Sequence, residues 1–158
     1  MDISSFSAGA IMKNINPPIL MLFCVLGMIA LHFWIPIWLI SSWVLLVLGV
    51  GFLGFGLVLA FGAEGQFRKR GTTVDPLGTA SRLVTDGWFR FSRNPMYLSF
   101  LLVLIGAWLS LASVSPLFII LLYFILTERW YIVPEEKRLI TRFGKEYQSY
   151  QKRTPRWL

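Results

Sequence analysis

The chain has 158 residues, is 56% apolar and only 15% charged, and carries a formal net charge of +7. Soluble domains average roughly 25% charged residues, and here residues 14–63 and 94–127 contain no Asp, Glu, Lys or Arg at all. A domain this small cannot bury two such runs, which excludes a soluble globular chain and a disordered one and leaves an all-α integral membrane protein.

A span takes about 20 residues at 1.5 Å rise each, so the first run holds two spans, residues 17–34 and 39–61. The break between them runs from His32 to Trp38, where aromatic rings suit an interface and Pro36 interrupts the helix. Residues 64–94 follow as a charged linker. The second run is too long for one span, and Ser110, Ser113, Ser115 and Pro116 divide it into spans at 95–111 and 116–133. Residues 134–158 read as an interfacial amphipathic helix and tail, with Leu139, Ile140, Phe143, Tyr147 and Tyr150 recurring on one face. The whole, 1–158, is expected to be one membrane domain of two hairpins.

Sidedness follows from charge. The linker up to Arg93 has six basic and three acidic residues, and the tail from Pro134 has seven and three. The hairpin tips carry no Lys or Arg, and Lys13 precedes the first span. Four spans put all of these basic residues on one face, the cytoplasmic one by the positive-inside rule. The expected setting is a bacterial inner membrane with both termini cytoplasmic. Anionic lipid, rather than nucleic acid, is then the partner of the basic excess. A single cysteine, Cys24, cannot form an internal disulfide, and a single histidine, His32, cannot build a multi-histidine metal centre, so no metal is expected. Oligomeric state carries no signal.

Two polar segments hold the residues from which a site could be made. Asn94 suits a helix N-cap and Pro95 the first helical position, beside Arg90 and Arg93. That arrangement serves either an ordinary capped span with headgroup-binding arginines or an anion site. In the tail, Glu135 and Glu136 suit the start of a helix. They are either solvated or able to bind a cation or ribose hydroxyls. Gly49, Gly51, Gly54, Gly56 and Gly62 lie in the second span, where close helix packing explains them better than a dinucleotide loop does.

Together the two segments resemble the isoprenylcysteine carboxyl methyltransferase family, which is related to the membrane phospholipid N-methyltransferases. The resemblance lies in Gly71-Thr72-Thr73-Val74, Leu83-Val84-Thr85 with Gly87, and Arg93-Asn94-Pro95-Met96-Tyr97-Leu98. The tail adds Glu135-Glu136, Leu139, Phe143-Gly144, Tyr147, Tyr150 and Pro155-Arg156. Asn94 stands where many members have histidine, and Gly87-Trp88-Phe89-Arg90 replaces the usual Gly-Pro-Tyr-Arg. The resemblance implies a membrane-embedded methyltransferase that uses S-adenosyl-L-methionine on a lipophilic acceptor entering from the bilayer. It implies a cofactor site made of Arg93, Asn94, Pro95, Tyr97, Glu135, Glu136, Tyr147 and Tyr150. Glu136, Arg93 and Arg156 are the implied catalytic set: Glu136 as the polar contact to the cofactor, and Arg156 orienting the cofactor or a substrate anion.

The acceptor implied first is an isoprenylcysteine-like carboxylate, and the alternative is a phospholipid amine. In-line methyl transfer needs alignment more than a dedicated base when the acceptor is already ionised. An amine must instead lose a proton, which a carboxylate such as Glu136 would assist. A nicotinamide-dependent membrane reductase shares a similar C-terminal helical arrangement and stays open as a further alternative. A small transporter or assembly factor is disfavoured, since neither uncharged run carries a mid-membrane acid.

Overall fold

The structure, a computed structural model, describes residues 16–40, 42–71 and 82–158. Lys13 and the motif residues Thr72, Thr73 and Val74 lie outside the described residues. The described chain is helical. Helix α1 is Pro17–Trp34 and α2 is Trp43–Lys69. A single 3₁₀ turn, Gly87–Arg90, leads to α3, Pro95–Leu111. Helix α4, Leu117–Thr127, passes through a π turn, Glu128–Ile132, into α5, Val133–Phe143, and α6 is Lys145–Arg153.

Among the described residues, three stretches are long and apolar enough to cross a bilayer: α1, α2, and the continuous Leu117–Phe143 helix. The 17-residue α3 is apolar as well. Large side chains such as Phe23, Leu26, Val47, Phe55 and Phe118 point outwards. That is costly in water and expected in lipid. The chain is thus an integral membrane protein of several apolar helices. Its inner core joins Met28 of α1, Leu104 of α3 and Tyr123 of α4, all fully buried.

Close packing of α2 on α3 explains part of the glycine pattern. A Cβ on Gly49 would lie 2.7 Å from the Gly106 carbonyl oxygen, and one on Gly106 would lie equally near that of Gly49. Gly56 meets Ser99 and Val103 in the same way, and Gly62 meets the Trp88 ring. Gly51 and Gly54 face open space, so packing does not account for them.

Several boundaries differ from the expected ones. Helix α2 begins at Trp43 rather than residue 39, because the preceding backbone is engaged elsewhere. Ile40 donates its N–H to Ala112 O at 2.8 Å, and Val114 donates to Ile37 O at 3.0 Å, tying the α1–α2 connection to the α3–α4 connection. Helix α2 then runs on to Lys69, eight residues beyond its expected end at 61. The expected break at Pro134 is not a break, since the helix continues through it. The C-terminal segment is instead divided at Gly144, whose φ of 50° suits glycine. Leu139, Ile140 and Phe143 pack with Tyr147 and Tyr150 on Ala63, Val84 and Phe89.

Candidate active site

Pro134 sets the local geometry. In a regular helix its ring would crowd the carbonyl of Trp130, four residues back, and leave that oxygen without a donor. The helix loosens instead into the π turn, in which Val133 donates its N–H back to Glu128 O. One extra residue in a turn shifts the helix phase by about one position. Glu128 and Glu136, eight apart in sequence, therefore stand about as residues seven apart would in an α-helix, two turns apart on one face.

The tail crosses that face. Arg156 Nε and Nη2 donate to the two oxygens of Glu136 at 3.1 and 2.7 Å, and Nη1 donates to Glu128 Oε1 at 2.5 Å. Arg93 Nη1 lies 3.0 Å from Glu136 Oε1 as an ion pair. The Glu136 side chain is 8% exposed and that of Arg93 10%. Two cations and two anions thus balance where an unpaired ion would cost several kcal/mol. Hydrogen bonding to Glu136, more than any other influence, holds Arg156 more firmly protonated than an ordinary arginine.

The backbone holds the tail in place. Arg93 donates its N–H to Pro155 O at 3.0 Å, and Ser92 Oγ donates to Arg156 O at 3.3 Å. Asn94 makes no side-chain cap to α3, contrary to expectation. Its Nδ2 donates to Arg156 O at 3.0 Å instead, so docking of the tail takes the amide that would have capped the helix. Trp157 stacks on Phe124 with ring centroids 4.9 Å apart.

A cleft of about 100 Å³, open at its mouth, lies beside Arg93. That is smaller than the ~300–1,000 Å³ of typical ligand pockets, so a larger ligand would extend through the mouth. Its polar part comes from Asn16, Arg93, Asn94 and Glu135. Tyr97 lines it too, donating its hydroxyl to Glu135 Oε2 at 3.2 Å. The walls are apolar: Phe67 from α2, Phe89 from the 3₁₀ turn, Met96 and Phe100 from α3, and Pro17 and Pro18 from α1. Arg93 Nε and Nη1 are buried without a hydrogen-bond partner among the described residues. The ion pair to Glu136 is close but poorly directed, and a buried donor left unsatisfied costs about 1–3 kcal/mol or more. The cleft therefore has a guanidinium in one part of its wall and a carboxylate in another.

Arg93, Asn94, Pro95, Tyr97 and Glu135 thus meet at the cleft. Glu136 and Arg156 stand beside it, bound to one another. Tyr147 and Tyr150 pack behind. Tyr150 donates its hydroxyl to Phe89 O at 2.6 Å, supporting the cleft wall. Burial, then the charge of Glu136, pushes the Tyr147 phenol up to about 12, and burial raises Tyr150 as well. Both are neutral hydroxyls across the physiological range. Sequence reasoning missed Glu128 and the aromatic walls. Pro134 inside an otherwise helical pattern was the available sign that the face of the helix shifts there.

A bundle of apolar helices carrying a charged, half-enclosed cleft marks an integral membrane protein with a candidate polar-ligand site. Comparison with known proteins narrows this further. Residues 44–146 match the family described as phospholipid methyltransferase, and the chain belongs to that family. It is also similar to the protein-S-isoprenylcysteine O-methyltransferase of Schizosaccharomyces pombe (strain 972 / ATCC 24843), with 33% identity over 75 residues. The aligned part is 46% of this chain and 31% of that relative, so the chain spans under a third of the relative's length. No solved structure matches.

Proposed function

We propose that the protein is an S-adenosylmethionine-dependent methyltransferase acting on a membrane-resident lipid, with a phospholipid amine as the leading acceptor. One observation carries the donor site: the Arg93 guanidinium, buried in the cleft wall with Nε and Nη1 lacking a well-directed hydrogen bond. The donor carries a carboxylate, an ammonium, a sulfonium and ribose hydroxyls, and the cleft offers a match for anion, cation and hydroxyl alike. When bound, S-adenosylmethionine supplies a methyl group on a cationic sulfur.

The rest falls to the chain's own residues. Arg93 holds the donor carboxylate by charge-assisted hydrogen bonds. Glu135, steadied by Tyr97, faces the cationic or hydroxyl-bearing part. Phe67, Phe89 and Phe100 exclude water and fix the approach of the acceptor, which is where alignment is gained. Glu136 acts through Arg93 in this arrangement, because both of its oxygens are engaged by arginine. Glu135 is the carboxylate within reach of a proton leaving an amine.

In the bilayer, α1, α2, α3 and the apolar part of the α4–α5 helix form four spans, and the cleft opens at the cytoplasmic surface. The family described as phospholipid methyltransferase favours the amine acceptor. The S. pombe relative keeps an isoprenylcysteine-like carboxylate as the second reading. Incubation of the purified protein with methyl-labelled S-adenosylmethionine and a total membrane lipid extract tests both. Base-stable label in an amine headgroup supports the first reading, and base-labile label released as methanol supports the second. No label in the organic phase above a heat-inactivated control refutes the proposal.

A further inference from the structure

We infer that Glu128 is a positioning residue for the cleft, brought into line by the π turn at Pro134 and acting through Arg156 and Glu136 on Arg93. The inference rests on the proposed donor site and adds to it a residue far from the cleft lining. The charges form a chain, Glu128 to Arg156 to Glu136 to Arg93, with contacts of 2.5, 2.7 and 3.0 Å.

The order of the chain matters. One carboxylate, Glu136, faces two guanidinium groups. Arg156 takes the two-pronged approach, with Nε and Nη2 on separate oxygens. Arg93 is left with a one-pronged, poorly directed contact through Nη1, and its Nε is buried without a hydrogen-bond partner. Arg156 is 34% exposed, so it could turn towards water. Glu128 adds to the two bonds from Glu136 a third hold, on Nη1, and reaches it because the π turn brings positions 128 and 136 onto one face. Without Glu128, Arg156 loosens and Arg93 closes fully onto Glu136. The donor's carboxylate then competes with Glu136 for the same nitrogens.

The full chain in lipid nanodiscs is titrated with S-adenosylhomocysteine as the probe. Glu128→Gln is expected to raise the Kd about three- to tenfold, with kcat at saturating donor within about twofold, since no reacting atom is touched. Leu104→Ala, in the core away from the cleft, is the comparator. It lowers the melting temperature and leaves the Kd within about twofold. A ligand-free arm measures melting of Glu128→Gln, Arg93→Gln and the double variant. Arg93 carries more of the Glu136 charge once Glu128 is gone, so the double variant falls by more than the sum of the two single shifts.

A Glu128→Gln affinity within twofold of wild type overturns the inference. So does a Kd that merely tracks the melting loss as in Leu104→Ala, and so do additive melting shifts. If the wild-type protein does not bind the probe, the donor reading falls and the melting cycle alone decides the coupling.

Discussion

Replacing Glu136 by leucine separates what the charge cluster does for stability from what it does for binding. The substitution leaves Arg93, 10% exposed, without its counter-ion. Arg156 is 34% exposed and still has Glu128, so it contributes little to the loss. Breaking a buried pair from one side costs about 3–5 kcal/mol. With one stranded cation rather than two, the expected loss is at the low end, about 3 kcal/mol. Replacing Arg93 by leucine as well removes the stranded charge, and apolar replacement of a buried pair is often neutral. The double variant should then return to within about 1 kcal/mol of wild type while losing donor binding altogether. Unfolding by SDS titration in mixed micelles, followed by tryptophan fluorescence, measures the first quantity, and equilibrium dialysis the second. A Glu136→Leu variant within about 0.5 kcal/mol of wild type would refute the reasoning. So would a double variant no more stable than the single.

Gly49→Val should cost about 1–3 kcal/mol in the same unfolding assay, because its Cβ meets backbone of α3 that cannot yield. Gly54→Val, which faces open space, should change stability by less than about 0.5 kcal/mol. Tyr97→Phe removes the hydrogen bond to Glu135 and should weaken donor binding about fivefold, with little loss of stability. Tyr150→Phe removes a buried hydroxyl bond to Phe89 O and should cost about 1 kcal/mol of stability, with donor affinity within about twofold.

The helical membrane architecture was legible because length, charge gaps and aromatic breaks are local signals, and lipid rewards them wherever the partners lie. Pro95 opening α3 was legible for the same reason, whereas the division at Gly144 was not read from the pattern of residues 134–158. The motif residues Arg93, Asn94, Tyr97 and Glu135 were found by resemblance, and the structure brings them to one cleft. What stayed hidden depends on phase and on distant partners. Glu128 lies just past an uncharged run, and eight residues from Glu136 is a poor match on a regular helix. Only the π turn forced by Pro134 aligns the two. The capping role expected of Asn94 gave way to the docked tail, which no local pattern announces. Gly49 and Gly54 look alike in sequence, and only the position of α3 tells them apart.

The most direct measurement is saturable binding of S-adenosylmethionine to the purified protein in nanodiscs, compared between wild type and Arg93→Gln. One saturable site in wild type, weakened at least about tenfold by the substitution, is the expected result. No saturable binding, or equal affinities in the two proteins, would contradict a donor site built around Arg93.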